Sequence, residues 1–350
     1  MKRTFLALAL VSLLAIVPII VLFGWYNLHL TKKSYDFERR FITPLSSIFS
    51  LNLKYDSYYI AGSSGNKLYL GNYVALAHLL KTNLQLTDTQ FVYVHINPAD
   101  YNKNGSYKYY IDTTDFYILN GTDRLILSGK TDKWKAGRSA VFAPYFNQGI
   151  PINLHSIIYK YVSSRTNENA LRKESTTIKR IENDVIFEKQ VDGLFCTAGN
   201  IEYNKQLHLL TYTYLYRNEI LVIDTNLSLV RKIKTIDPIN RADFKVSTIK
   251  SAGSSVITSP ALMVNSGSSS WDDKLFVQSE LMGRNEDQVM FEHSVAIDVY
   301  DLKRSAYMYS FYLPKQSKAA ISQIKVIGNN VYTLAGKQLS RYTFQLPDVK

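Results

Sequence analysis

One cysteine, Cys196, stands in 350 residues, so no disulfide can form within the chain. It lies in the apolar run LFCTAG, where a thiol serves best as a small buried side chain. No cysteine stands just after the N-terminal apolar run, which argues against lipid attachment there. Histidine is scarce: His29, His78, His95, His155, His208 and His293 are the whole set. None is paired at helical spacing with a glutamate, and no His/Cys cluster has zinc spacing. There is no G-x-S-x-G elbow and no phosphate-binding glycine loop. The Gly-Lys pair in LAGKQLS lacks the upstream glycine and the following helix, and reads as a hairpin turn. No long amphipathic helix follows residue 44, which counts against α/β folds. No Arg- and Gly-rich tail or recognition-helix pattern supports nucleic acid as a partner.

Positive charge is plentiful, with a formal net of +12 and a pI near 9.4. Such a balance suits an anionic partner, but the lysines are spread over many loops. The densest patch is Arg231, Lys232, Lys234, Arg241, Lys245 and Lys250. Its first three residues fall on an expected strand, whose alternation points them to opposite faces. Tyrosine is abundant, with 26 copies beside 16 phenylalanines. Aromatic and β-branched residues suit pleated, half-buried surfaces, so most of these tyrosines are expected in sheet packing and a few in a sugar or peptide groove.

Two distant stretches share one pattern: NEILVIDTNLSLVRKIKTID, from Asn218, and HSVAIDVYDLKRSAYMYSFYL, from His293. In each, an apolar strand ends in an aspartate (Asp224, Asp301), a polar turn follows, and a second strand begins by Val230 or Tyr307. Strand, Asp-turn, strand at fixed spacing is expected of the outer half of a β-propeller blade. The rest of the chain is rich in short strands separated by Gly, Asn, Asp and Ser turns. Residues 55–97 read as one blade. YKYYIDT, DFYILNG and RLILSGK read as strands of the next, and the segment 133–153 as a long loop with one more strand. SIIYKYVSS and VIFEKQV read as strands, with ENALRKESTTIKRIEN between them as a short helix or an outer hairpin. LFCTAG, QLHLLTYTY, EILVIDT and SLVRKIKTI read as four strands of one blade. KVSTIKS, KLFVQSEL and the second Asp-turn pair make another, with a Ser- and Gly-rich loop around Asn265–Trp271. The last three strands, in SQIKVIGN, NVYTLAG and LSRYTFQL, lack a fourth. SIFSLNLKYD, near the start, has no blade of its own and is expected to pair there and close the ring. The reading is all-β, a propeller of about six four-stranded blades, with seven open. A two-sheet sandwich is the competing fold.

The N-terminus supplies the longest apolar run. Phe5 to Tyr26 carries no charge, and as a helix it spans about 33 Å, enough for a bilayer core. Trp25 and Tyr26 close it with interfacial aromatics. Its length and its bulky flank favour an uncleaved signal anchor over a cleaved signal peptide. The organisation expected is an anchor over 1–30, a charged stalk over 31–44 and a propeller over 45–350. The N-terminus is expected in the cytoplasm and the propeller outside, anchored to a bacterial inner membrane and facing the periplasm.

Candidate binding residues sit where chain turns expose polar side chains. Gln190 and Asp192 precede an expected inner strand and are candidates for a channel mouth, with Asp192-Gly193 as a plain turn the alternative. Tyr216, Arg217 and Asn218 join two strands; Arg217 there suits a carboxylate or phosphate, or is an exposed hairpin tip. Trp271, in SSSWDDK, is a candidate contact residue on a polar loop. Asp192, Asn200 and Glu202 offer oxygen ligands. No catalytic residue, metal site or cofactor is assigned.

The run Glu188 to Asp224, with TIKS, SPALMVN, KLFVQSEL and AIDVYDLK, resembles a group of membrane-anchored, six-bladed, TolB-like propeller proteins of Bacteroidetes. The resemblance covers nearly the whole chain and is strongest from Glu188 to Pro314. It implies a six-bladed, membrane-tethered, extracytoplasmic propeller and carries over no catalytic residue. The chain departs from the group at TAGN, with Ala198 where an acidic residue is expected. The function expected is a protein-interaction or ligand-binding module, its partner an envelope protein or small ligand. A propeller enzyme is the alternative: a metal-dependent hydrolase of the lactonase type, or a redox-associated subunit like quinoprotein amine dehydrogenase propellers. Those rest on fold analogy alone.

Overall fold

The computed structural model describes residues 14, 16–19, 21–22, 33–249 and 254–345. Most of the apolar run 5–26 lies outside the described residues. Its described part is helical with exposed side chains. Among the described residues, no helix is long and apolar enough to cross a membrane.

The body is strand after short strand. β1 (Ser34–Tyr35) and β2 (Leu45–Asn52) come first. β3 (Tyr58–Ser64), β4 (Lys67–Asn72), β5 (His78–Asn83) and β6 (Thr89–Tyr93) form an antiparallel meander. So do β7 (Lys108–Asp112), β8 (Asp115–Asn120), β9 (Leu125–Lys130) and β10 (Gly137–Arg138). A short parallel contact, Gly62 with Ile111 and Ser63 with Asp112, merges these meanders into one eight-stranded sheet. Only glycine fits at that contact: a Cβ on Gly62 would lie 2.1 Å from the Ile111 carbonyl oxygen, and its φ is +140°.

Four-stranded sheets follow. β11 (Gln148–Asn153), β12 (Ser156–Val162), β13 (Asn169–Ser175) and β14 (Ile181–Asn183) make one. β15 (Gly199–Asn204), β16 (Leu209–Tyr214), β17 (Glu219–Asp224) and β18 (Leu229–Lys234) make the next. β19 (Val246–Ile249) and β20 (Ser254–Ile257) form a separate hairpin. β21 (Asn265–Trp271), β22 (Lys274–Ser279), β24 (Ser294–Asp301) and β25 (Ala306–Pro314) make the third; β23 (Met282–Gly283) and helix α1 (Gln288–His293) interrupt it. β26 (Gln323–Ile327), β27 (Asn330–Ala335) and β28 (Gln338–Phe344) make the last, with β2 as its fourth strand. β2 runs antiparallel to β28 from Leu45 opposite Phe344 to Asn52 opposite Gln338. The strand near the N-terminus thus closes the C-terminal sheet, as its spare position in the sequence suggested.

The apolar clusters show how the sheets meet. Tyr59 and Leu79 pack on Ile118 and Leu127; Tyr117 and Leu119 on Ile157 and Tyr159; Ile158 and Leu171 on Ile201 and Leu210. Ile220 and Val222 pack on Leu275 and Val277, and Ile297 and Phe311 on Val326 and Val331. The sixth cluster joins the end to the beginning, Tyr332 and Leu339 against Leu68 and Leu70. Sheets covered on both faces need strands apolar on both faces, and β24 is buried along its whole length. Tyrosine hydroxyls stitch the same seams. The Tyr109 hydroxyl donates to the Leu76 carbonyl, Tyr332 to Leu84 and Tyr342 to Pro314, while the Tyr300 hydroxyl accepts from the Ile236 N–H. A large ring that also needs one hydrogen bond fits such seams better than phenylalanine would.

The repeated Asp-turns are real and alike. The Asp224 carboxylate accepts the N–H groups of Asn226 and Ser228, and Asp301 those of Lys303 and Arg304. Each turn holds one left-handed residue, Leu227 or Ser305, and each follows a register shift in its strand pair, at Val222/Ile223 or Val299/Tyr300.

Four expectations fail locally. LFCTAG is not a strand: the Asp192 carboxylate accepts the N–H groups of Phe195 and Cys196, and the Thr197 hydroxyl donates to the Gly193 carbonyl, which curls the segment. GNIEYN is the strand instead. VIFEKQV forms no strand either. The Ser- and Gly-rich segment read as a loop is β21, and KVSTIKS belongs to the separate β19–β20 hairpin. The undecided polar stretch 168–183 is an outer hairpin, β13 with β14.

Residues 34–42 lie along the third sheet. β1 pairs in parallel with β23, and Ile42 and Arg40 exchange backbone hydrogen bonds with Ser310 on β25. Phe41 stacks on Tyr312 at 4.5 Å. Arg39 is buried between them. Its Nε and Nη2 donate to Asp298 at 2.7 and 3.1 Å, Nη2 also to Ser279 Oγ, and Nη1 to the Leu281 carbonyl and to Glu286.

Candidate functional site

Six strands lie toward the inside of the ring: β3 and β7 from the eight-stranded sheet, and β11, β15, β21 and β26 from the four-stranded ones. β15 touches β11 and β21, and β26 touches β21 and β3. Alternation gives each such strand one set of side chains that avoids the apolar seams. On β7 the pattern leaves Lys108, Tyr110 and Asp112 half-buried between core residues. On β26 it leaves Gln323 and Lys325, and on β15 Asn200 and Glu202.

These residues converge from sheets that are not neighbours. Lys325 Nζ lies 3.5 Å from Glu202 Oε1, and Glu202 Oε2 accepts the Ser270 N–H at 3.0 Å. Lys108 sits 5.4 Å from the centre of the Tyr110 ring. Its pKa is raised, first by the Tyr110 phenol and further by Tyr73 and Glu202, against the opposing effect of burial. The Gln323 amide oxygen accepts the Ile60 N–H. At the other end of β7, Lys205 Nζ reaches across from the 199–234 sheet to Asp112 at 2.7 Å and Thr113 Oγ1 at 2.6 Å. That strap joins two sheets with a third between them.

The seam beside Glu202 is polar. Register pairs Asn200 with Thr213 and Glu202 with Thr211, and cross-strand partners share a face. On β21, Ser268 pairs with Val277 and Ser270 with Leu275, the two residues that pack on Ile220 and Val222. So Thr211, Thr213, Ser268 and Ser270 look into one seam. All four hydroxyls are buried and find no partner among the described residues.

A cleft of about 260 Å³ opens at the start of β7, where Lys108 follows Tyr107, and is lined by Asn72, Tyr73, residues 74–77, His78, Tyr101, Lys103 and Tyr107. Tyr73 lies against Tyr59, with ring centres 4.4 Å apart, and is half exposed. Val74 is 85% exposed. The Tyr107 hydroxyl donates to Asp123 and accepts the Asn102 N–H, which fixes the opposite wall. Aromatic rings beside several fixed polar groups suit a ligand site.

The residues singled out from the sequence are placed differently. Gln190 clamps two loops: its Nε2 donates to the Asn240 carbonyl and its Oε1 accepts the Ala242 N–H. Asp192 caps the 193–196 turn. Tyr216 packs edge-on against Phe244 at 5.1 Å. Arg217 is no exposed tip but 1% exposed. It lies 3.6 Å over the Tyr214 ring, donates to the Glu188 carbonyl and pairs with Glu219 at 3.1 Å. Trp271 ends β21 half-buried against two apolar clusters rather than on an open loop. Among the oxygen donors, Asn200 and Glu202 share the inner strand, while Asp192 is committed to its turn. Among the described residues, no group of three or more His, Cys, Asp or Glu side chains is gathered to hold a metal. Lys108, Tyr110 and Lys325 went unnoticed. Period-2 alternation marks each of them, but which strands are innermost emerges only from the ring.

Asn218 is buried, its Nδ2 donating to the Asp237 carbonyl. Asp237 carries a pH signature. Its carboxylate is buried, accepts from Thr235 Oγ1 and the Ile239 N–H, and its pKa is pushed up to about 6, first by desolvation. A raised acid pKa means the fold favours the protonated form, so stability is highest below the unfolded value and falls as pH rises through about 6. At roughly 1.36 kcal/mol per pKa unit, the loss is up to about 3 kcal/mol. The stability difference between wild type and Asp237→Asn, followed by chemical unfolding from pH 4 to 7.5, is expected to shift toward the variant by that order. A pH-independent difference overturns this.

No protein-family model and no curated protein matches the chain. Among solved structures, a DUF4221 family member from Bacteroides vulgatus superposes with a TM-score of 0.54 at 10% identity, covering 89% of this chain and 99% of its own. A virginiamycin B lyase from Staphylococcus aureus aligns with a TM-score of 0.47 at 13% identity, over 85% of this chain and 99% of its own. The protein is all-β with a propeller-like fold, and the likeness to a Bacteroides protein agrees with the Bacteroidetes resemblance at the level of fold.

Proposed function

We propose that the protein is a propeller of six blades, counting each half of the eight-stranded sheet as one, that works as a binding module in the bacterial envelope. The apolar run 5–26 anchors it in the inner membrane, with the N-terminus cytoplasmic and the propeller in the periplasm. The observation that carries the binding role is the tyrosine-lined cleft opening beside Lys108. It combines exposed aromatic surface, fixed backbone and cationic side chains at one place. The occupant is a small ligand or a segment of an envelope protein.

A photocrosslinking residue at position 74, in the full-length protein in native membranes, tests the site. A discrete adduct is expected from position 74, and Tyr73→Ala with Tyr101→Ala removes it. The same group at exposed Ile178, on the rim of another sheet, gives none. Equal, diffuse labelling from both positions overturns the reading. The topology has its own test: a C-terminal reporter enzyme active only outside the cytoplasm is expected to be active, and a well-expressed but inactive fusion rejects the orientation.

A further inference from the structure

The channel beyond the cleft carries more cationic than anionic groups at the level of Lys108. Lys108 has no carboxylate within ion-pair distance among the described residues, and Lys325 shares the single carboxylate of Glu202 at 3.5 Å. Two ammonium groups thus face one carboxylate, together with the Tyr110 hydroxyl and the Gln323 amide. Glu202 is already engaged by the Ser270 N–H. Charges held inside a protein are ordinarily paired, so an ammonium group left without a carboxylate of its own points to an anion that belongs there. The strap at the far end is neutral, Lys205 with Asp112, and does not compensate the excess.

We propose that the channel at the level of Lys108, Glu202 and Lys325 is a site for an oxyanion, the carboxylate or phosphate group of a small ligand whose body lies in the tyrosine cleft. This rests on the cleft being a ligand site, but the two are tested separately. Charge-assisted bonds from lysine to an oxyanion are among the stronger polar contacts, and convergence from three sheets fixes their geometry. Glu202 limits affinity: it repels the anion while it holds Lys325 in place.

Isothermal titration of the full-length protein in detergent at fixed ionic strength, with inorganic phosphate in one series and acetate in another, reads the site directly. One-site saturable binding in the millimolar range is expected for at least one of them, and the tighter of the two assigns the head group. Lys108→Gln and Lys325→Gln each weaken it about tenfold, as loss of one charge-assisted contact does. Glu202→Gln tightens it about tenfold, since it removes the carboxylate that repels the anion at this level. Lys205→Gln leaves it unchanged. The tightening cannot arise from a damaged fold. Absence of saturable binding by either anion, weakening by Glu202→Gln, or equal weakening by Lys205→Gln overturns the proposal. A discrete crosslink at position 74 alongside such a result would leave the cleft reading standing.

Discussion

Asp298→Ala is expected to cost about 3–5 kcal/mol of unfolding free energy, the penalty for stranding one member of a buried ion pair. Asp298 holds Arg39 through two hydrogen bonds and accepts a third from Ser310 Oγ. Arg39 is 3% exposed, and its charge cannot be relieved by losing a proton. Desolvation works against that charge, while Asp298 and then Glu286 outweigh it and raise the pKa. Glu286 is held in turn by the Gly283 N–H and the Tyr312 hydroxyl, so one missing carboxylate loosens the whole contact between residues 34–42 and the 265–314 sheet. Arg39→Met is expected to cost less, because the carboxylates it strands can take up a proton, whereas a stranded guanidinium cannot lose one. The double variant Arg39→Met, Asp298→Leu should recover much of the loss, since apolar replacement of a complete buried pair is often neutral. Denaturant midpoints of the three variants decide the matter, and an Asp298→Ala effect below about 1 kcal/mol would show the pair to be solvated.

The contact has a consequence for the proposed tether. Phe37 is buried, and Arg284 bonds its carbonyl and pairs with Asp36 and Glu38. The chain is therefore fixed to the body from Ser34 onward. Only about seven residues separate Ser34 from the end of the apolar run at Tyr26, a reach of at most about 25 Å. An anchor in the membrane would hold the 265–314 sheet close to the bilayer and leave the body little freedom to swing.

Much of this architecture was legible, for identifiable reasons. Asp224 and Asp301 could be matched because a carboxylate capping two backbone N–H groups is a local device, complete within five residues. SIFSLNLKYD could be assigned to the last sheet by counting, because a three-strand remainder demands a partner. β21 could not be read as a strand. NSGSSSW has loop composition, and only its pairing with β22 makes it a strand. LFCTAG misled in the other direction, because its apolar residues pack as part of a turn that Asp192 closes. Arg217 looked exposed because it joins two strands, yet the loops from 188 and 237 cover it. The channel residues show the limit most clearly. Lys108, Glu202 and Lys325 sit on three strands far apart in sequence, and only ring closure places them together.

Ring closure makes the second large prediction. A chain beginning at Leu53 lacks β2 and is expected to lose about 3–8 kcal/mol, from roughly half a dozen ladder hydrogen bonds at about 0.5–1.5 kcal/mol each. Ser50 Oγ also bonds Ser340 Oγ at 2.8 Å, and Ser46 Oγ the Thr343 carbonyl. The loss would leave β28 as an open edge, and open edges template aggregation. The truncation also removes the Arg39 contact, so it needs a control that separates the two. The geometry provides one. Leu45 lies opposite Phe344, and the Gln345 N–H bonds the Pro44 carbonyl. Residues 45–52 joined after Phe344 through an Asn-Gly turn would therefore re-enter the same sheet as the second arm of a hairpin. That permuted chain has no residues 34–42 and no apolar run, yet it should unfold cooperatively and stay monomeric where the plain truncation aggregates. If both behave alike, the N-terminal strand is not what closes the ring, and the contact through Arg39 carries the stability instead.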